Sequence, residues 1–353
     1  MAGKLAKISM LILSLGVIIL FQGCSTTQTN EPSADLVDTL YRTCVEILAD
    51  GEMAGSGAFV SSDGYILTAA HCIRTPEIKL EILSNIAGRR TASLIAVDKG
   101  HDIALLKIET EKKLPSLPIS KQSPAVGQTI YVVGSPLKRH GLLVQSVIAS
   151  QSEYEYLNDQ RAYIPVRFIT TMAPKGLSGG NWVNADGEII GVMSGRLNEP
   201  IEGTSDHVIS SGIAFITELE AIRHLVETKK HADSPSIGGI FEELWTQTPG
   251  FQKRFEAGME GLVIHQIRAG GPLEKAGLEH ENLIVEADGK KIRYRRELME
   301  IIRRKKTGDK LYIRYIMPDN KGTGEKEVVL DSLEENWFRQ NSSAQKAEEK
   351  ISE

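Results

Sequence analysis

Cysteine is scarce in this 353-residue sequence, which holds three, and no cluster of histidine, cysteine and carboxylate has metal-ligand spacing. No metal or organic cofactor is therefore indicated. A surplus of one charge is also lacking. The 41 Lys and Arg against 46 Asp and Glu leave a net charge of −5, too mild for a nucleic-acid footprint or a halophilic surface. No nucleic-acid partner is expected. The apolar run from Ile8 to Phe21 falls short of the roughly 20 residues a helical membrane span needs. What remains, 41% hydrophobic and 25% charged, is the composition of an ordinary globular chain long enough for about two domains.

Lys4 and Lys7 ahead of that apolar run, with Gly23-Cys24 behind it, read as a secretory signal over residues 1–23. Leu20-Phe21-Gln22-Gly23-Cys24 resembles a bacterial lipoprotein box, with Phe21 and Gln22 departing from its usual residues. The expectation is lipidation at Cys24, which tethers the chain to a membrane, and Ser25 resembles outer-membrane sorting in a Gram-negative cell. Residues 24–35 contain almost nothing apolar and read as a flexible tether. Cys44 and Cys72 are left in an exported, disulfide-permissive chain, where a bridge and two buried free thiols stand as equal readings.

From Leu36 to about Val226 short apolar or alternating runs recur between Gly, Asp and Pro, among them Tyr65 to Ala69, Ile103 to Ile108 and Ile189 to Ser194. Many short strands at regular spacing predict an all-β barrel or sandwich. Helical spacing of Leu219, Ile222, Leu225 and Val226 predicts a helix closing this unit, taken as residues 36–232. A polar stretch with Pro235 marks a boundary, and a second unit at 236–332 shows strands near Leu262, Leu283, Leu311 and Glu327 and a helix from Arg295. Residues 333–353 read as a charged solubilising tail.

Amide hydrolysis needs a nucleophile, a base for its proton, a group that orients the base, and donors for the developing oxyanion. Gly176-Leu177-Ser178-Gly179-Gly180 is a glycine-flanked serine whose unhindered backbone can expose a hydroxyl and aim amides at one point. His71 directly follows the run Tyr65-Ile66-Leu67, and Asp102 stands at the entrance to the apolar run Ile103 to Ile108. Each alone has a bland explanation: a structural loop, a core histidine, a capping residue. Together, in the order His, Asp, Ser, chance agreement is improbable. Asp98 is the rival carboxylate, but it precedes Lys99-Gly100 rather than opening the apolar strand, and His101 reads as a bystander.

With Gly55-Ser56-Gly57-Ala58-Phe59-Val60, Gly64-Tyr65-Ile66-Leu67-Thr68, Asp102-Ile103-Ala104-Leu105-Leu106, Ser178-Gly179-Gly180 and Gly212-Ile213-Ala214-Phe215, the sequence resembles the HtrA (Deg) branch of the chymotrypsin-type serine proteases. The resemblance implies a mainly β fold: a chymotrypsin-like double β-barrel with the site between the barrels. It implies Ser178 as nucleophile, His71 as base then acid, Asp102 as its orienting partner, and the Gly176 and Ser178 amides as oxyanion hole. Leu177 departs from the Asn or Asp that the family generally carries there. Met172, where trypsin-like enzymes carry a pocket acid, argues against a salt-bridging specificity pocket; Met172, Ile209, Ser211, Gly212 and Ile213 are expected to line an apolar one.

Ile237-Gly238-Gly239-Ile240, followed by Gly261-Leu262-Val263-Ile264, Pro272 to Leu278 and Asp288-Gly289-Lys290, resembles one α+β PDZ domain of the permuted HtrA type. The resemblance implies capture of a C-terminal peptide by Ile237, Gly238, Gly239 and Ile240, with Leu298 and Ile301 of the helix facing it. It further implies a homotrimer. The expected function is an envelope serine endopeptidase acting on unfolded or mislocalised proteins, held on the periplasmic side of a bacterial membrane. The alternative is a weakly active or inactive peptide-binding scaffold or chaperone.

Overall fold

The computed structural model describes residues 31–150, 154–157, 163–200, 208–319 and 321–339. The leader and the Cys24 lipidation site lie outside the described residues.

Strands β1 (Cys44–Ala49), β2 (Glu52–Phe59), β3 (Tyr65–Ala69), β4 (Leu80–Ser84), β5 (Gly88–Asp98) and β6 (Ile103–Ile108) close into an antiparallel barrel in the order β1-β2-β3-β6-β5-β4. A seven-stranded antiparallel sheet follows, built from β7 (Thr129–Gly134), β8 (Leu142–Val147), β9 (Tyr154–Leu157), β10 (Tyr163–Ile169), β11 (Asn181–Val183), β12 (Ile189–Pro200) and β13 (Val208–Thr217) in the order β8-β7-β11-β12-β13-β10-β9. It curls on itself, because Ile148 bridges Ile169 and the Ala149 N–H reaches the Phe168 carbonyl at 2.8 Å. The double barrel expected from the sequence is the fold observed.

Strand β6 is buried on both faces for a reason that matters to the site. Its Ala104, Leu106 and Ile108 fill the first barrel's own core, whereas Ile103 and Leu105 join a cluster with Tyr131, Val133, Val183, Ile189 and Val192 of the second barrel. Period-two alternation thus splits the strand between two cores. Leu67 and Ala69 of β3 lie in the same inter-barrel cluster, and Ala69 pairs with Ile103. The residues just beyond these ends, His71 and Asp102, consequently stand at the seam.

Helix α1 (Ala34–Thr43), which the sequence reading did not foresee, starts on Ser33, whose hydroxyl accepts the Leu36 N–H at 3.1 Å. It buries Leu36 and Leu40 in the inter-barrel cluster. Helix α2 (Leu219–Thr228) closes the same cluster with Ile222 and Leu225.

The second unit is a sheet ordered β15-β16-β17-β19-β20, formed by β15 (Gly239–Glu243), β16 (Leu262–Ile267), β17 (Leu283–Ala287), β19 (Lys310–Met317) and β20 (Gly322–Val329), with β18 (Lys290–Lys291) paired to β17. Alternation in β19 sends Leu311, Ile313 and Tyr315 inward against helix α3 (Arg295–Arg303). The chain entering this unit, β14 (Pro235–Ser236), pairs with the chain leaving it, β21 (Asp331–Ser332). Beyond β21 the sequence reading of a solubilising tail over 333–353 is corrected for its first part: residues 333–339 form a helix, α4, whose Trp337 and Phe338 pack on the first barrel's core, and residues 340–353 lie outside the described residues.

Both cysteines are free. Cys44 opens β1, while Cys72 is buried beside Gly55 and Thr68 next to His71, so the bridge left open by the sequence is absent. Burial pushes each thiol up to about 12, which keeps both protonated and unreactive.

Candidate active site

His71 sits in a short 3₁₀ turn, Ala70–Cys72, that ends β3. The Ala70 N–H extends the β3–β6 ladder to the Asp102 carbonyl at 3.1 Å, and the His71 N–H donates to Asp102 Oδ1 at 2.9 Å. These backbone bonds fix the ring so that Nδ1 meets Asp102 Oδ2 at 2.8 Å. Asp102 is 1% exposed and holds a left-handed φ of 55°, a conformation Asp tolerates better than most residues. Burial alone would raise its carboxyl, but the attraction of His71 and hydrogen bonds from His71 and Ser194 outweigh it and hold Asp102 below the usual carboxylate range.

Ser194 was not foreseen. Its hydroxyl donates to Asp102 Oδ2 from the middle of β12, where nothing in the local sequence separates it from an ordinary strand serine. Asp98, the rival, is committed elsewhere: its carboxylate receives the His101 N–H at 2.9 Å and faces His101 Nδ1 at 2.8 Å. The aspartates of two Asp–His pairs therefore lie four residues apart in the chain, and His71 and Asp102 are the pair that opens on the cavity holding Ser178.

Ser178 is carried by a loop anchored on both barrels. The Ser56 N–H donates to the Ser178 carbonyl at 2.7 Å, and the Gly179 N–H to the Met193 carbonyl at 2.8 Å. Gly179 has φ 78°, and a Cβ there would lie 2.2 Å from Thr68 Oγ1, so only glycine fits between the strands. Gly176 has φ 99°, with its carbonyl taking the Ser56 hydroxyl at 2.7 Å. The preceding Lys175 carbonyl accepts the Leu137 N–H at 2.6 Å. Across a trans peptide the next N–H points the opposite way, so the Gly176 amide is turned away from Leu137. Neither the Gly176 nor the Ser178 N–H meets an acceptor among the described residues. Leu177, fully buried, fills an apolar slot with Trp182 and Ile190 in the second barrel.

The cavity, about 210 Å³, is lined by His71, Ser178, Ala173, Met193, Arg196 and Phe215 among others. The expected pocket residues fall differently. Met172 is 61% exposed and turned out of the cavity, which Ala173 lines in its place. Ser211 bonds the Leu197 carbonyl at 3.0 Å, Gly212 has φ 76°, and Ile213 is exposed; none of the three lines the cavity. Ile209 lies in β13, its side chain outside the described set.

A second cavity, about 330 Å³, is lined by Ile237, Gly238, Gly239 and Ile240, the stretch expected to take a peptide, and by Arg268, Met299 and Ile302. The helix face is corrected: Leu298 is fully buried in the core and Ile301 packs against it, so Met299 and Ile302 look into the groove. One residue of helix is about 100° of rotation, enough to move the lining face. Tyr163 of β10 also lines this groove. Its hydroxyl accepts the Phe241 N–H at 2.7 Å and donates to the Phe241 carbonyl at 2.9 Å, while its ring stacks on Phe241 at 6.2 Å.

Residues 55–192 match the trypsin-like peptidase domain family and residues 226–325 the PDZ domain family. The chain thus carries a trypsin-like domain followed by a PDZ domain. A serine protease HTRA1 of Xenopus laevis is 27% identical across 72% of this chain and 56% of its own length. A probable periplasmic serine endoprotease, DegP-like, of Pseudomonas fluorescens is 30% identical across 76% of this chain and 54% of its own. The chain spans about half the length of these curated relatives. Among solved structures, the HtrA-type protease AlgW with decapeptide shares the fold, with a TM-score of 0.61 at 18% identity, covering 85% of this chain and 98% of that one.

Proposed function

We propose that this chain is an exported serine endopeptidase of the HtrA type, with Ser178 as nucleophile, His71 as its base and Asp102 as the group that orients His71. The observation that carries this reading is the buried Asp102 carboxylate, bonded to His71 Nδ1 and to Ser194, with His71 and Ser178 on one cavity. With Nδ1 held by Asp102, Nε2 is left as the basic nitrogen: it takes the Ser178 proton as the hydroxyl attacks and returns it to the leaving amine. The negative charge on Asp102 stabilises the imidazolium formed in between. The Gly176 and Ser178 amides are the donors for the oxyanion, and Leu177, by packing inward, leaves both in place.

Ala173, Met193 and Phe215 form the apolar part of a lining that also carries Lys175, Arg196 and Asn198, and that part suits a small or medium aliphatic side chain before the scissile bond. The groove at Ile237 to Ile240 is the site for a hydrophobic C-terminal peptide, added as a strand to β15. Unfolded or mislocalised envelope proteins are the proposed substrates. The DegP-like relatives are named as periplasmic, which supports an exported location. A lipid tether at Cys24 and a homotrimer belong to the same proposal, the first on the lipoprotein box and the second on family resemblance.

The test compares the chain lacking residues 1–24 with its Ser178→Ala variant on an unfolded protein. Degradation by the first alone is expected. Equal activity in both would sink the protease reading, and inactivity in both with peptide binding retained would favour the scaffold. Palmitate incorporation lost on Cys24→Ala checks the tether.

A further inference from the structure

The turn that carries Asp102 is gripped by residues far away in sequence. It joins β5 to β6 through Lys99, Gly100 and His101. Its Lys99 N–H donates to Glu334 Oε1 at 2.7 Å. The second oxygen of Glu334 accepts the Ser234 N–H at 2.8 Å, and the Ser234 hydroxyl reaches Glu334 at 3.0 Å and Asp98 at 3.3 Å. Gly100 packs so close to Ser234 that a Cβ would lie 2.6 Å from its Oγ. Glu334 is 3% exposed.

The turn after His71 is held from the same side. Trp337 Nε1 donates to the Arg74 carbonyl at 3.1 Å, and Trp337 and Phe338 pack on the first barrel's core. Phe338 meets the His231 ring edge-on at 5.0 Å, and His231 Nδ1 accepts the Val97 N–H at 3.2 Å at the end of β5. Ser234 lies at the start of the second unit and Glu334 just past its end, zipped together by the β14–β21 pair.

A carboxylate so deeply buried is a costly way to fill space, since an apolar side chain would pack there without desolvating a charge. What it provides that an apolar side chain cannot is direction: it fixes a backbone N–H three residues before Asp102 and the linker that enters the PDZ domain. We propose that residues 331–339 form an intramolecular strap that sets the Asp102–His71 geometry, with Glu334 as a positioning residue acting through the 98–102 turn and Trp337 acting through the 71–74 turn. The inference rests on the protease reading for its kinetic consequence, though not for its structural one.

The test uses the chain from residue 25 onward and its Glu334→Ala, Glu334→Gln and Trp337→Phe variants, assayed on a chromogenic peptide too short to reach the PDZ groove. Active sites are counted with a fluorophosphonate that labels Ser178, so rates refer to folded, reactive molecules. Glu334→Ala is expected to lower kcat per titrated site about tenfold with KM within about twofold. Glu334→Gln, which keeps an oxygen for the Lys99 N–H, should recover most of the loss, and Trp337→Phe, which keeps the ring, should lose only about threefold. A kcat per titrated site unchanged in all three variants, or a rise in KM alone, would overturn the proposal. A second readout needs no catalysis: in the Ser178→Ala background the downfield proton signal of His71 Nδ1–H should shift or broaden in Glu334→Ala. An unmoved signal overturns the strap even if the chain hydrolyses nothing, and a moved signal upholds it in that case.

Discussion

Removal of Tyr163 should tighten peptide binding at the PDZ groove. In a strand the N–H and C=O of one residue point to the same side. Both groups of Phe241 are taken by the Tyr163 hydroxyl, so they face the edge of β15 opposite β16, the edge a strand-adding peptide must use. A peptide can pair there only after Tyr163 leaves. The cost of leaving is two hydrogen bonds, worth about 1 kcal/mol each net, and a stacked ring pair worth about 0.5–1.5 kcal/mol. An opening cost of roughly 2.5–3.5 kcal/mol leaves the free groove populated at about 0.3–1.5%, which weakens apparent affinity by the inverse of that fraction. Tyr163→Ala should therefore lower the Kd for a labelled hydrophobic C-terminal peptide by about 70- to 300-fold in fluorescence anisotropy. Tyr163→Phe, which loses the hydroxyl and keeps the ring, should fall between the two. An unchanged or weaker Kd in both variants would refute the competition.

The parts of the molecule that were legible from sequence were those where local pattern and local chemistry coincide. His71 and Asp102 each adjoin a short apolar strand, and the pairing of Ala69 with Ile103 is what makes their neighbours meet. Ile237 to Ile240 line their groove because the Gly-Gly turn leads directly into an edge strand. The illegible parts are partners that only tertiary structure supplies. Ser194 is a strand serine like others until β12 is laid beside β3, and Tyr163 belongs to one domain in sequence and to the groove of the other in space. Glu334 and Trp337 sit in a stretch whose charge reads as solvated, and the burial of the first and the packing of the second depend on the β14–β21 pair that returns the chain to the first barrel. The specificity pocket failed for a smaller reason. Met172 and Ala173 are adjacent, and the positive φ of 41° at Ala173 turns the chain so that the second, not the first, meets the cavity.

Two further outcomes follow from buried groups around Asp102. Ser194→Ala removes a hydrogen bond to a charged acceptor, worth about 1.5–3 kcal/mol, and should lower kcat by at least about tenfold with little change in KM, measured on the same short peptide. A variant with unaltered kcat would place the Ser194 contact outside catalysis. Lys99 gives the second. It is 4% exposed, and its Nζ has no hydrogen-bond partner among the described residues and lies 4.5 Å from the Trp337 ring centre. Burial pushes its ammonium down to about 8, against the opposing pull of Asp102 and Glu334. Between that value and the ordinary 10.5 the folded chain binds fewer protons than the unfolded one, so stability rises with pH across this window. A gap of 10.5 − 8 = 2.5 corresponds to a rise of about 3 kcal/mol. Lys99→Met removes the titrating group, so urea melts of the two proteins at pH 7 and pH 10 should diverge, the wild type gaining relative to the variant as pH rises. Parallel curves would mean that Lys99 reaches water in the folded state and that the contact with Trp337 is open.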